Sequence, residues 1–139
     1  MLSYPARIRR DGETFMVSFP DLPGVYSMGD DREDAARHAV DALETGLYFL
    51  VKDGEALPVP SAAGRGLVPI EVTFGFESKL LLVKEMVAQK VRPTELARRL
   101  GVTPQEVNRL IDLRHRTKID AVAAAIRALG KRLELSLAA

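Results

Sequence analysis

"TELARRLGVTPQEVNRLI", residues 94–111, sets two short apolar-periodic segments on either side of one glycine, Gly101. Leu96, Ala97 and Leu100 give the first segment an inner face; Val107, Leu110 and Ile111 give one to the second. Gly101 stands where a helix ends in a left-handed residue. Thr103 then suits an N-cap, Pro104 the first helical position, and Glu106 completes a capping box. Ala97, four residues before the glycine, is small enough for two helices to cross closely. With Val107 it matches relative positions 5, 9 and 15 of a helix-turn-helix.

The second helix then has a polar outward face of Gln105, Asn108 and Arg109. Arginine matches the acceptor pattern of guanine, and Asn or Gln matches adenine. The helix start at Thr103 offers backbone N–H groups to phosphate. The next stretch, "LRHRTK", adds Arg114, His115, Arg116 and Lys118 as candidate phosphate contacts. These eight residues make up the expected DNA-binding set, with operator double-stranded DNA as the partner.

Outward from this pair, Ser78 is expected to cap a helix running to about Gln89, its turns marked by Leu81, Leu82, Glu85 and Met86. Further helices are expected at 93–100, 104–112 and 119–129. The last has Ile119, Val122, Ile126 and Leu129 on one face and Gly130 at its C′ position. "RLELSL", residues 132–137, alternates strictly, with Leu133, Leu135 and Leu137 on one side. A lone strand leaves its backbone unpaired, so it is expected to pair with its mate in another subunit. A homodimer would result, or a homotetramer if the N-terminal sheet also associates.

The N-terminal part has a different period. Tyr4, Ala6 and Ile8 alternate with Pro5, Arg7 and Arg9; Asp11-Gly12 signals a hairpin; Phe15, Val17 and Phe19 alternate again. "PDLPG" (20–24) breaks the chain before a short third strand, "VYSMG". Asp30 and Glu33 suggest a capping box opening a helix with Ala36, Ala39, Val40, Leu43, Leu47 and Leu50 on its apolar face. After a turn-rich connection (52–66), "LVPIEVTF" (67–74) reads as a fourth strand. The fold class expected is α+β: a small antiparallel sheet plus helix, then an all-α domain with a terminal strand.

The division at residue 77 also divides charge. Residues 1–77 hold 7 Lys/Arg against 13 Asp/Glu, a net −6; residues 78–139 hold 13 against 6, a net +7. The basic half suits a polyanion and the acidic half a basic partner. With no cysteine and only His38 and His115, thiolate metal sites and disulfides are excluded, and no metal-ligand spacing exists. No apolar run approaches a membrane span and the N-terminus lacks a signal-peptide core, so the expected location is the cytoplasm.

"TELARRLGVTPQEVNRLIDLRHRTKIDAVAAAIRALGKRLELSL" closely resembles the C-terminal domain of helix-turn-helix HicB antitoxins, of the Cro/repressor-like class. "FMVSFPDLPGVYSMGDDREDAARHAVDAL" resembles that family's N-terminal signature, with "GDD" where the family often has "GDT". The resemblance implies a partial RNase H-like fold for 1–77 and a partner, the HicA toxin, a small basic RNase. It implies that the chain covers that toxin and represses its own operon. Toxin contact is expected through Asp21, Leu22 and Pro23 of the PDLPG loop and through Asp30.

Catalysis is not expected. Active RNase H-like enzymes gather carboxylates around two metals. Here Leu2 to Arg10, the expected first strand, has no acid, and only a remote set of Asp21, Asp30 and Glu71 is conceivable, so no catalytic, metal or cofactor residue is assigned. The rival reading is a repressor with a small-molecule-sensing N-terminal domain. A few strands and one helix are expected to leave little room for a pocket of ~300 Å³ or more.

Overall fold

The computed structural model describes residues 1–139 and divides them into two compact units, Met1–Thr73 and Phe74–Ala139. The boundary lies four residues before the one read from the sequence. Of the charged residues only Glu77 changes sides, leaving 7 Lys/Arg against 12 Asp/Glu (−5) and 13 against 7 (+6).

The N-terminal unit is a four-stranded antiparallel sheet with one helix across it. Its elements are β1 (Ser3–Asp11), β2 (Thr14–Ser18), β3 (Tyr26–Gly29), α1 (Arg32–Lys52) and β4 (Val68–Glu71). The strand order is β3-β2-β1-β4. The Asp11-Gly12 hairpin forms with Asp11 opposite Thr14 and Gly12 at φ +62°. The long β1 serves two partners in turn: Ser3–Ala6 face β4, and Arg7–Asp11 face β2. Pro5 therefore lies opposite Pro69, where neither residue donates to the ladder. Tyr4, Ala6, Ile8, Val17, Ala35, Ala39, Leu43, Leu47 and Ile70 are buried between sheet and helix.

Two details of α1 correct the sequence reading. The N-cap is Asp31, not Asp30: its side chain accepts from the Asp34 N–H at 2.7 Å. Asp34 reciprocates by accepting from the Asp30 N–H at 2.9 Å, so the box closes one residue later than expected. That bond first, then His38 and Arg37, hold the Asp34 carboxyl below its ordinary value against partial burial. The later start also makes Ala35, not Ala36, the buried alanine of the first turn. Gly29 precedes this turn, and a Cβ there would lie 2.2 Å from the Ala35 nitrogen.

The C-terminal unit is helical: α2 (Phe74–Gln89), α3 (Pro93–Leu100), α4 (Pro104–Ile111) and α5 (Ile119–Ala128). Leu82, Met86, Leu96, Ala97, Val107, Leu110, Val122, Ala125, Ile126 and Leu129 form one core. The expected cap at Ser78 is wrong. Ser78 is buried inside α2, and its hydroxyl donates back to the Gly75 carbonyl at 2.9 Å. Leu81, read as marking an inner turn, is exposed; Phe76, Lys79 and Leu80 are buried instead.

Residues 131–139 form no strand within the chain. Leu133 packs against the core, while Leu135 and Leu137 are 66% and 102% exposed. A strand needs a partner backbone, and the single chain supplies none here.

Candidate functional site

The α3–α4 pair forms as its residues dictate. Gly101 is left-handed (φ +67°), and its N–H and that of Val102 return to the Arg98 and Ala97 carbonyls at 3.3 and 3.1 Å. Thr103 caps α4, its hydroxyl accepting from the Glu106 N–H at 3.2 Å. Val107 and Leu110 face the core, which turns Gln105, Asn108 and Arg109 to solvent on the opposite side of α4. Arg114, His115, Arg116 and Lys118 are exposed on the segment that follows. The eight residues grouped from sequence thus fall on α4, its N-cap and the segment leaving it.

The arginines of α3 stand differently. Arg98 and Arg99 close on Glu95, with N–O distances of 2.6 and 3.1 Å. Their hydrogen bonds, Arg98 first, hold the Glu95 carboxyl down at about 2. Side-chain cation density on α3 is therefore partly neutralised.

Sequence reasoning missed Lys79. This lysine on α2 is 2% exposed and donates to the main-chain carbonyls of Arg109 (3.0 Å), Asp112 (2.9 Å) and His115. An ammonium has three protons, and each has an acceptor. Burial pushes its pKa below the ordinary lysine value, and the nearby Asp112 carboxylate opposes that. The signal was available: Lys79 lies three residues from both Phe76 and Leu82, on the stripe that faces the core.

In the N-terminal unit the structure forms an open groove of about 950 Å³ between the 21–28 segment, α1 and residues 56–58. The expectation of little pocket room is therefore wrong: the turn-rich connection folds back to build a third wall. Tyr4 Oη donates to the Pro58 carbonyl at 2.7 Å, and Asp21 accepts from the Ser61 N–H at 2.8 Å and from its hydroxyl. Asp21 thus reaches forty residues along the chain. Burial of Tyr4, and the Asp21 charge next, raise the phenol's pKa. Gly46 admits the loop, since a Cβ there would lie 2.6 Å from Val25.

Tyr26, Met28 and Phe49 line this groove while 64%, 52% and 51% exposed, and Asp41 and Asp53 add acid to its walls. Of the four residues expected to meet a toxin, Asp21, Leu22 and Pro23 line the groove, although Leu22 itself is 4% exposed. Asp30 lies outside it, at the start of α1. His38 is exposed, and its Nδ1 bonds the Met28 carbonyl at 2.9 Å. Asp21, Asp30 and Glu71 do not converge, and no group of three potential metal ligands exists. No helix is long and apolar enough to cross a membrane.

Residues 3–80 match the model of the HicB-like antitoxins of bacterial toxin–antitoxin systems. This chain belongs to that family. It is 42% identical over 134 residues to Antitoxin HicB 2 of Photorhabdus laumondii subsp. laumondii, covering 96% of this chain and 95% of that protein. Antitoxin HicB of Escherichia coli is also 42% identical, over 121 residues, covering 87% and 88%. Antitoxin HicB of Pseudomonas fluorescens is 31% identical over 140 residues, covering 100% and 96%. Among solved structures, a chain of a HicA3 and HicB3 toxin–antitoxin complex matches 52% of this chain and 99% of its own length, at 25% identity and TM-score 0.46. The family model ends at residue 80, so the α3–α4 pair lies beyond it.

Proposed function

We propose that the chain is the antitoxin of a HicA-type, mRNA-cleaving toxin. Its N-terminal unit covers the toxin and its C-terminal unit binds operator DNA to repress its own operon. The observation that carries the DNA half is the outward row Gln105, Asn108 and Arg109 on α4, with an exposed cationic segment directly after it. The pair α3–α4 then acts as a helix-turn-helix with α4 as the reading helix in the major groove. Side chains of these three types, on one exposed face, fit base edges. The net charges of −5 and +6 support this choice of partners: a basic RNase for the first unit, a polyanion for the second.

The toxin surface is the groove along β3 and α1. Exposed Tyr26, Met28 and Phe49 supply apolar area, while Asp41 and Asp53 attract a basic protein. Action is by steric cover, without catalysis, in the cytoplasm where the toxin's mRNA substrates lie. The tail leucines, Leu133, Leu135 and Leu137, join two copies so that two reading helices meet a two-fold operator; pairing of the N-terminal sheets would make a tetramer.

The groove also favours a second reading, a repressor whose N-terminal unit senses a small molecule, because about 950 Å³ exceeds what a metabolite needs. Two measurements separate the readings. Toxin-dependent RNA cleavage should stop when the full chain is added at equal concentration, and a promoter duplex should bind without any added metabolite. Arg109→Ala should lose about 1–3 kcal/mol of discrimination at one base position. Intact RNA cleavage in the presence of the chain sinks the antitoxin half; unchanged affinity and selectivity in Arg109→Ala sinks the reading-helix assignment.

A further inference from the structure

The segment after α4 has little side-chain packing to hold it in place. Leu113 is buried, but residues 115–117 stand off α4 and α5 around a hollow of about 400 Å³. What fixes this backbone is a side chain from a different helix. Lys79 takes the carbonyl of Arg109 in the last turn of α4, that of the C-cap residue Asp112, and that of His115 beyond it. The last carbonyls of a helix have no intrahelical partner and carry its negative dipole end. A buried ammonium satisfies both needs at once. Local bonds complete the turn: the Arg114 N–H goes to the Asp112 carboxylate at 2.9 Å, and the His115 N–H to the Asp112 carbonyl at 3.1 Å.

We propose that Lys79 is a positioning residue for nucleic-acid binding: it sets the phosphate-contacting segment 114–118 in register with the reading helix α4. This inference rests on the DNA-binding reading above. Three carbonyls spaced along residues 109–115 are drawn to one buried point. The side chains of Arg114, Arg116 and Lys118 remain exposed at the edge of α4. Lys79 itself touches no DNA, because it is buried. Without the ammonium, α4 keeps its own cap at Thr103 and its core contacts through Val107 and Leu110. Base reading therefore survives in form, while the phosphate contacts lose their fixed place.

The chain has no cysteine, which allows a direct test. Lys79→Cys is alkylated in denaturant with 2-bromoethylamine, restoring a lysine-like ammonium, or with 1-bromopropane, giving a neutral side chain of similar length. Both forms of the full chain are refolded and titrated with a mixed-sequence duplex across a range of salt. The aminoethyl form should match the parent. The propyl form should lose about two units of salt slope if the contacts of Arg114 and Arg116 are released. Its amide exchange should quicken at residues 112–116 and stay unchanged in α2. Lys79→Met, made without refolding, carries the same expectation. A propyl form or Lys79→Met protein with the parent's slope overturns the proposal, as does an aminoethyl form that fails to restore it. If the parent binds no duplex, the DNA reading itself falls and the proposal with it; quickened exchange in the propyl form would then leave Lys79 as a purely structural clamp.

Discussion

Gly29 and Gly101 each precede a helix that matters, α1 in one unit and α4 in the other, and they are glycine for opposite reasons. Gly29 has no positive φ, but α1 comes so close that a Cβ would lie 2.2 Å from the Ala35 nitrogen and 2.6 Å from its Cα. Gly101 has nothing within 4 Å of a would-be Cβ, but its φ is +67°. The first glycine is a requirement for space and the second a requirement for a dihedral angle. A motif written as "glycine at the turn" hides that difference, and substitutions expose it. The N-terminal unit is pinned by close approach and tertiary bonds, whereas the α3–α4 pair is set by local backbone geometry.

The largest break in this contrast should come from Gly29→Ala. Backbone atoms cannot move aside as a flexible side chain can, so the cost should be about 3 kcal/mol or more. All three tyrosines, Tyr4, Tyr26 and Tyr48, lie in the N-terminal unit, so tyrosine emission during urea unfolding reports that unit alone. A midpoint shift in tyrosine emission close to zero would show that the turn relaxes. Next is Glu44→Ala. Glu44 is 9% exposed on α1 and accepts from both the Thr73 N–H and its hydroxyl at 2.7 Å. Losing the acceptor should cost about 2 kcal/mol by the same tyrosine measurement.

Gly101→Ala should cost only about 1 kcal/mol, the left-handed penalty of an L-residue. Gly101→Asn should recover much of it, since asparagine tolerates that region. Circular dichroism of helix unfolding measures both, and equal costs for Ala and Asn would mean that space, not φ, governs this turn too. The smallest effect on folding belongs to Leu135→Asp. Its side chain is already exposed, so the chain should lose less than about 0.5 kcal/mol. Sedimentation of the same variant should nevertheless show a dissociated pair if the tails join subunits. A dimer unaltered by Leu135→Asp removes the tail from the interface.

The parts legible in the sequence were those where a local signal has a local cause. Thr103, Pro104 and Gly101 fix the ends of α3 and α4 through their own backbone, so those bounds came out within a residue or so. The Asp11-Gly12 hairpin is legible for the same reason. Ser78 misled because a serine before an apolar run reads as a cap, yet its hydroxyl has an acceptor within the helix at Gly75. The box at α1 slid by one residue because three acids, Asp30, Asp31 and Asp34, compete for two places. The Asp21–Ser61 tie and the partners of Lys79 were illegible in a stronger sense: periodicity can place Lys79 on the buried stripe of α2 but cannot say what it meets. They join residues forty and thirty-six positions apart, and no local pattern pairs such distant positions. The groove followed from the first of these ties and was missed with it.

The sheet has two free borders, and they are closed by different means. On β4 the border strand carries Pro69, which has no N–H to offer an incoming strand. On β3 there is neither proline nor lysine, only "YSMG", and the guard is His38, whose ring holds the Met28 carbonyl. A proline is permanent; an imidazole on an exposed helix face can swing away. Addition of a further strand is thus confined to one side of the sheet, beside Tyr26 and Met28, and begins with the displacement of a single side chain.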